Sequence, residues 1–106
     1  MLSIADREIA QRFKQRLQQI APLLTLWVYG SRARGDATAE SDLDVLIELE
    51  SITPALRQHI RELAWEVGFD QDRVISTLVT TREQLDHGLL RADPLISNLQ
   101  REGVQI

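Results

Sequence analysis

Residues 23 to 36 read Leu23-Leu24-Thr25-Leu26-Trp27-Val28-Tyr29-Gly30-Ser31-Arg32-Ala33-Arg34-Gly35-Asp36, and after a short polar spacer comes Ser41-Asp42-Leu43-Asp44-Val45-Leu46-Ile47-Glu48-Leu49-Glu50. The run Leu23 to Tyr29 is rich in β-formers, is too short for a typical helix and stops at Gly30, so it reads as a buried strand. Gly30 to Gly35 then breaks the apolar pattern, two glycines flanking a small, helix-compatible segment, which makes a turn leading into a short helix. From Asp42 to Glu50 the residues alternate: Leu43, Val45, Ile47 and Leu49 fall on one face, and Asp42, Asp44, Leu46, Glu48 and Glu50 on the other. That period of two predicts a second strand.

Outward from this centre, helices and strands continue to alternate. Ser3 can cap a helix whose Ile9, Phe13, Leu17 and Ile20 form an apolar stripe ending before Pro22. Thr53-Pro54 supplies an N-cap and a first-turn proline for a second long helix, with Leu56, Ile60, Leu63, Ala64 and Val67 as its stripe and Gly68 as its expected stop. Val74 to Thr80 is a β-branched run that predicts a third strand. Two short helices, over Arg82 to Leu90 and Pro94 to Arg101, precede Gly103. This order makes an α/β sandwich, a small sheet covered by helices on at least one face. The second and third strands, joined through a helix, are expected to be parallel. The short link between the first and second leaves their relative direction open.

Composition narrows the class. A chain of 106 residues with 43% hydrophobic and 26% charged residues is expected to be one domain spanning 1–106. Zero Cys excludes a disulfide scaffold, a thiolate zinc site and a cysteine nucleophile. No apolar run approaches the roughly 18 residues of a membrane span, and the expectation is a soluble, cytoplasmic protein. A net charge of −4 disfavours direct, unspecific binding to nucleic acid, which depends on cations displacing counterions. The charge is unevenly placed: six acids and no Lys or Arg lie from Asp36 to Glu50, whereas Arg7, Arg12, Lys14 and Arg16 lie in the first helix.

Asp42 and Asp44 are two apart on a strand, so they project from one face with Cα atoms roughly 6.5 Å apart. Two such carboxylates are unfavourable together unless water, a basic group or a cation compensates them, and a hard ion such as Mg²⁺ does so well. On its own the pair is more simply read as exposed edge charge that discourages aggregation. The preceding turn shifts the balance. A strand ending in Gly30-Ser31 and opening into a helix offers backbone N–H groups and a hydroxyl to a polyphosphate. Together, a phosphate-binding turn and a magnesium-holding acid pair are what a nucleoside-triphosphate site requires.

Gly30-Ser31, ten intervening residues and then Asp42-Leu43-Asp44 resemble the signature of the DNA polymerase beta-like nucleotidyltransferase superfamily. Gly30 to Asp36 and Ser41 to Val45 resemble the form found in minimal nucleotidyltransferase (MNT) domains, the antitoxins of HEPN/MNT pairs, and the closing Asn98 to Val104 is similar to the ending of such domains. The resemblance implies a polymerase beta-like fold with a small mixed sheet. It implies Mg²⁺ as cofactor, ATP or another NTP as substrate, and attack by a hydroxyl on the α-phosphorus with pyrophosphate leaving. Asp42 and Asp44 would be the catalytic metal ligands. Gly30 and Ser31 would bind the nucleotide phosphates. Arg34, and less directly Arg32, would neutralise phosphate charge or pair with Asp36. The acceptor implied is a tyrosine of a HEPN-type partner protein, receiving AMP; an oligomer is left open.

One departure from the family pattern is visible. Its active members carry a third carboxylate on the strand after the long helix, where this chain has Val74-Ile75-Ser76-Thr77-Leu78-Val79. Asp72 shares the parity of Ser76 but is roughly 13 Å of strand away; Asp70 and Glu83 read as a loop acid and a first-turn helix charge. His59 and His87 read as surface groups. Trp27 and Trp65 read as core or partner contacts rather than base-stacking platforms. The missing acid keeps a second function open, a nucleotidyltransferase-fold module that regulates its partner by contact alone. A primer-extending polymerase is disfavoured by size and acidity.

Overall fold

The structure, a computed structural model, describes residues 1–88 and 92–106. In chain order the elements are α1 (Ile4–Gln18), β1 (Leu23–Tyr29), α2 (Gly30–Arg34), β2 (Leu43–Leu49), α3 (Pro54–Asp70), β3 (Ile75–Thr81), α4 (Arg82–His87), α5 (Pro94–Glu102) and β4 (Val104–Gln105). The expected end of the fourth helix at Leu90 lies outside the described residues. The two long helices start as their sequences dictate. The Ser3 hydroxyl accepts from the Asp6 N–H at 3.0 Å and the Thr53 hydroxyl from the Leu56 N–H at 3.0 Å, each satisfying one of a helix's orphan donors.

The sheet is mixed, with strand order β3-β2-β1-β4. β2 and β3 are parallel, as the helical crossover demands, with Asp44 opposite Ser76. β1 and β2, whose relation the sequence left open, are antiparallel, with Tyr29 opposite Asp44. β2 is therefore interior. α1 and α3 pack on each other and on one face of the sheet. There Ile9, Phe13 and Leu17 of α1 meet Leu26, Val28, Val45, Ile47, Ile60, Leu63 and Val67 in one apolar core. Leu43, Val45, Ile47 and Leu49 all join it, as their alternation predicted.

Two expectations are corrected and one element is added. Gly68 does not stop α3, which runs on to Asp70. A Cβ on Gly68 would sit 2.5 Å from the Arg73 carbonyl oxygen, and the Arg73 N–H bonds the Gly68 carbonyl at 2.8 Å, so the glycine lets the returning chain press against the helix. Trp65 is not core: it is 68% exposed and stacks on exposed Phe69. After Gly103, where no element was expected, Val104 and Gln105 form β4 on the free edge of β1. Strand ends shift by one residue, leaving Asp42 immediately before β2. Among the described residues no helix is long and apolar enough to cross a membrane.

Candidate active site

On the sheet face opposite α1 and α3, β2 presents Asp44, Leu46 and Glu48, flanked by Tyr29, Trp27 and Thr25 of β1 and by Ser76, Leu78 and Thr80 of β3. Not all of this acidity is free. Glu48 is buried; its carboxylate accepts from the Thr25 hydroxyl at 2.7 Å and from Arg82 Nε at 3.0 Å. Asp36 is held by Arg34 Nε at 3.1 Å. Among the described residues, neither Asp42 nor Asp44 joins an ion pair.

The turn and Asp44 meet at Gly30. Tyr29 ends β1 in an extended conformation, and Gly30 then takes φ +76° to open α2. A Cβ built there would stand 2.5 Å from Asp44 Oδ2. The backbone thus passes directly over the carboxylate, an approach only glycine allows in a conformation L side chains avoid. Ser31 follows at the start of α2, half-buried.

Electrostatics tie the same groups together. Burial raises the Asp44 carboxyl above the usual carboxylate range, the neighbouring Asp42 charge raises it further, and Arg34 pulls it back. Burial, and then the Asp44 charge, raises the phenol of Tyr29. Asp44 is therefore the group that couples to each of Asp42, Arg34 and Tyr29. Tyr29 was not singled out from the sequence; its place immediately before the turn glycine was the available signal.

The two arginines of the turn part company. Arg34 is on the surface and donates to Asp36 and, at 3.3 Å, to Glu102 of α5. Arg32 points inward, buried, and donates to Asp6 and to backbone carbonyls of the loop before β2. A phosphate-neutralising role for Arg32 is thereby excluded.

The position beside Asp44 on β3 is Ser76, exposed, whereas Thr77 shares the core-face parity of its partner Val45. Among the described residues no three His, Cys, Asp or Glu side chains come together to hold a metal, so Asp70, Asp72 and Glu83 do not complete the pair. Asp72 instead sits at φ 54° in the turn after α3. His59 and His87 are on the surface. A cavity of about 840 Å³ opens between α3 and the loop before β2, lined by Ser41, Trp65, Phe69 and Asp72 among others; neither Asp42 nor Asp44 lines it.

Two carboxylates outside any ion pair among the described residues, one of them half-buried, suit Mg²⁺ in its common mode, in which one or two carboxylates hold the ion and phosphate and water complete the shell. The donor set fits the metal that the sequence implied.

Comparisons with known proteins bear on the family and the fold. A family model described as nucleotidyltransferase domain matches residues 7–102. A curated protein of Haemophilus influenzae, named a probable protein adenylyltransferase MntA, is 37% identical over 73 residues, an alignment that covers 62% of this chain and 63% of that protein. The chain thus matches less than two thirds of that relative's length. A chain of a mutant MntA-HpeT toxin-antitoxin crystal structure superposes with a TM-score of 0.62 at 20% identity, over 91% of this chain and 69% of that one. A toxin-antitoxin crystal structure with AMP-PNP gives a TM-score of 0.59 at 19% identity, over 90% and 70%. A complex of tri-AMPylated Shewanella oneidensis HEPN toxin with MNT antitoxin gives 0.56 at 16% identity, over 94% and 70%. At these identities the solved structures speak to the fold, which is polymerase beta-like.

Proposed function

The chain belongs to the nucleotidyltransferase domain family, in its minimal form, and from that premise we propose that it moves a nucleoside monophosphate, AMP from ATP, onto a hydroxyl of a HEPN-type partner protein as that toxin's antitoxin. The observation that carries the proposal is the 2.5 Å separation between the Cβ position of Gly30 and Asp44 Oδ2. It supports one small volume in which a turn suited to phosphate and a pair suited to a cation act on the same triphosphate.

In this reading Asp42 and Asp44 hold Mg²⁺, which when bound offsets the charge of the nucleotide's phosphate oxygens. Gly30 and Ser31 receive the distal phosphates, the glycine because it keeps side-chain atoms out of their path and the serine through its hydroxyl. Arg34 lies within the field of Asp44 and stands on the surface, where it can exchange Asp36 and Glu102 for a phosphate at little cost. Residues 1–106 are proposed to form one catalytic domain. The partner's role in the toxin-antitoxin structures, where an MNT antitoxin accompanies a tri-AMPylated HEPN toxin, supports a protein acceptor.

Ser76 favours a second reading. With a hydroxyl where the family places its third acid, and no third ligand among the described residues, the chain could restrain its partner by binding alone. Incubation with Mg²⁺, α-labelled ATP and the partner separates the two. Label transfer that disappears in Asp42→Ala and Asp44→Ala is the expected result; a tight complex with no transfer, unchanged in those variants, establishes the binding module instead.

A further inference from the structure

Every guanidinium nitrogen of Arg32 is bonded inside the protein. Its Nε donates to the Ser41 carbonyl at 2.9 Å, one terminal nitrogen to both Asp6 oxygens at 3.3 and 3.2 Å, and the other to the Thr38 and Ala39 carbonyls at 3.2 and 3.4 Å. All three nitrogens of the guanidinium are thus engaged within the protein. Asp6, 3% exposed, is held by a second cation, Arg73 from the turn before β3, at 3.1 Å. The carbonyls that Arg32 grips belong to the segment between α2 and β2, which has no helix or strand of its own.

We propose that Arg32 is the positioning residue of the site, fixing Asp42 relative to Ser31 by holding the backbone of residues 38–41. The chain geometry makes this specific. Arg32 follows Ser31 directly on α2, and the Ser41 carbonyl it bonds belongs to the peptide that leads into Asp42. One planar side chain therefore bridges the phosphate-type turn and the cation pair. Asp44 needs no such help, because β1 and β3 hold it from both sides. Asp42 lies outside the ladder. The Ser41 hydroxyl closes the same loop by accepting from the Thr38 N–H at 2.9 Å. A lysine at 32 keeps the charge beside Asp6 but cannot reach three carbonyls from one point.

The inference rests on the nucleotidyl reading. It is tested by calorimetric titration of Mg²⁺ with α,β-methylene ATP, which cannot transfer its nucleotide, alongside amide hydrogen exchange. For Arg32→Lys we expect about 10- to 100-fold weaker uptake, the range seen when groups that orient metal ligands are lost. Faster exchange should appear at residues 38–43 and not at 45–49. Ser41→Ala, on the exposed loop, should give a smaller loss in the same direction and carries the test if Arg32→Lys does not fold. Ile60→Val, in the core far along α3, controls for stability: it should lower the melting temperature and leave uptake unchanged. Uptake by Arg32→Lys equal to wild type overturns the proposal, as does an equal weakening in Ile60→Val. Absence of uptake by the wild-type chain overturns the nucleotidyl reading and this inference with it.

Discussion

Gly30 and Asp44 are separated by less than a side chain: the Cβ that alanine would bring to position 30 overlaps the space of Asp44 Oδ2 at 2.5 Å. Gly30→Ala is therefore expected to act twice, forcing a positive-φ residue at a cost of about 1–2 kcal/mol and pushing the carboxylate aside. Urea unfolding measures the first effect. Metal-nucleotide titration measures the second, with about 10-fold or greater weakening expected. Equal affinity in the variant would show that the bend and the carboxylate do not act together.

Asp44 also predicts a pH dependence. Its folded value is raised above its unfolded one, by burial first and Asp42 second. A raised carboxyl gives stability that is complete below the ordinary aspartate value and is lost as pH rises through the raised value. At neutral pH the ionised form thus weighs against folding. Asp44→Asn should melt at a higher temperature than wild type at neutral pH, and the difference should close on acidification. Metal uptake by the wild-type chain should begin to fail at a higher pH than a solvated aspartate would impose. Melting curves across pH and titrations in parallel check both.

The buried Asp6-Arg32 pair, with side chains 5% and 7% exposed, sets a third expectation. Removing one partner leaves the other charged and buried, so Asp6→Ala should cost about 3–5 kcal/mol in urea unfolding. The double replacement Asp6→Leu with Arg32→Met removes both charges and should recover part of that loss while leaving metal-nucleotide uptake weak.

Gly68→Ala offers a test of packing against propensity. Inside a helix the change ordinarily favours folding by about 0.8–1 kcal/mol. Here the new methyl meets the Arg73 carbonyl at 2.5 Å, and a net loss of about 1–3 kcal/mol is expected.

Trp65 and Phe69 stack at 5.2 Å and are 68% and 71% exposed. Replacing both by serine should change the unfolding free energy by less than about 1 kcal/mol, as surface substitutions do. A larger loss in denaturant titration would mean that the pair is structural.

Periodicity made α1, β2 and α3 legible because burial of one face writes a pattern of 3.6 or 2 into the chain, and runs of β-forming residues marked β1 and β3. Asp42, Asp44, Gly30 and Ser31 were legible as a spacing, and the geometry brings Asp44 and Gly30 together. What was hidden depended on distant partners. Asp6 and Arg32 are 26 residues apart, and neither breaks a local rule. Gly68 looked like a helix stop because the carbonyl it accommodates arrives only after the chain turns. β4 has two residues, too few to alternate, and exists through its pairing with Trp27 and Val28. Tyr29 gained its significance from the antiparallel register with Asp44, which the short link could not specify.

The interior position of β2 has a consequence for how this chain avoids misfolding. Were the strand to slip by one residue against β1 and β3, Asp44 and Glu48 would enter the oily layer beneath the helices while Val45 and Ile47 turned to the opposite face. The acids that give the chain its chemistry thus also proofread its assembly. Exchanging them for greasy residues to harden the sheet would erase the penalty that makes a wrong alignment untenable.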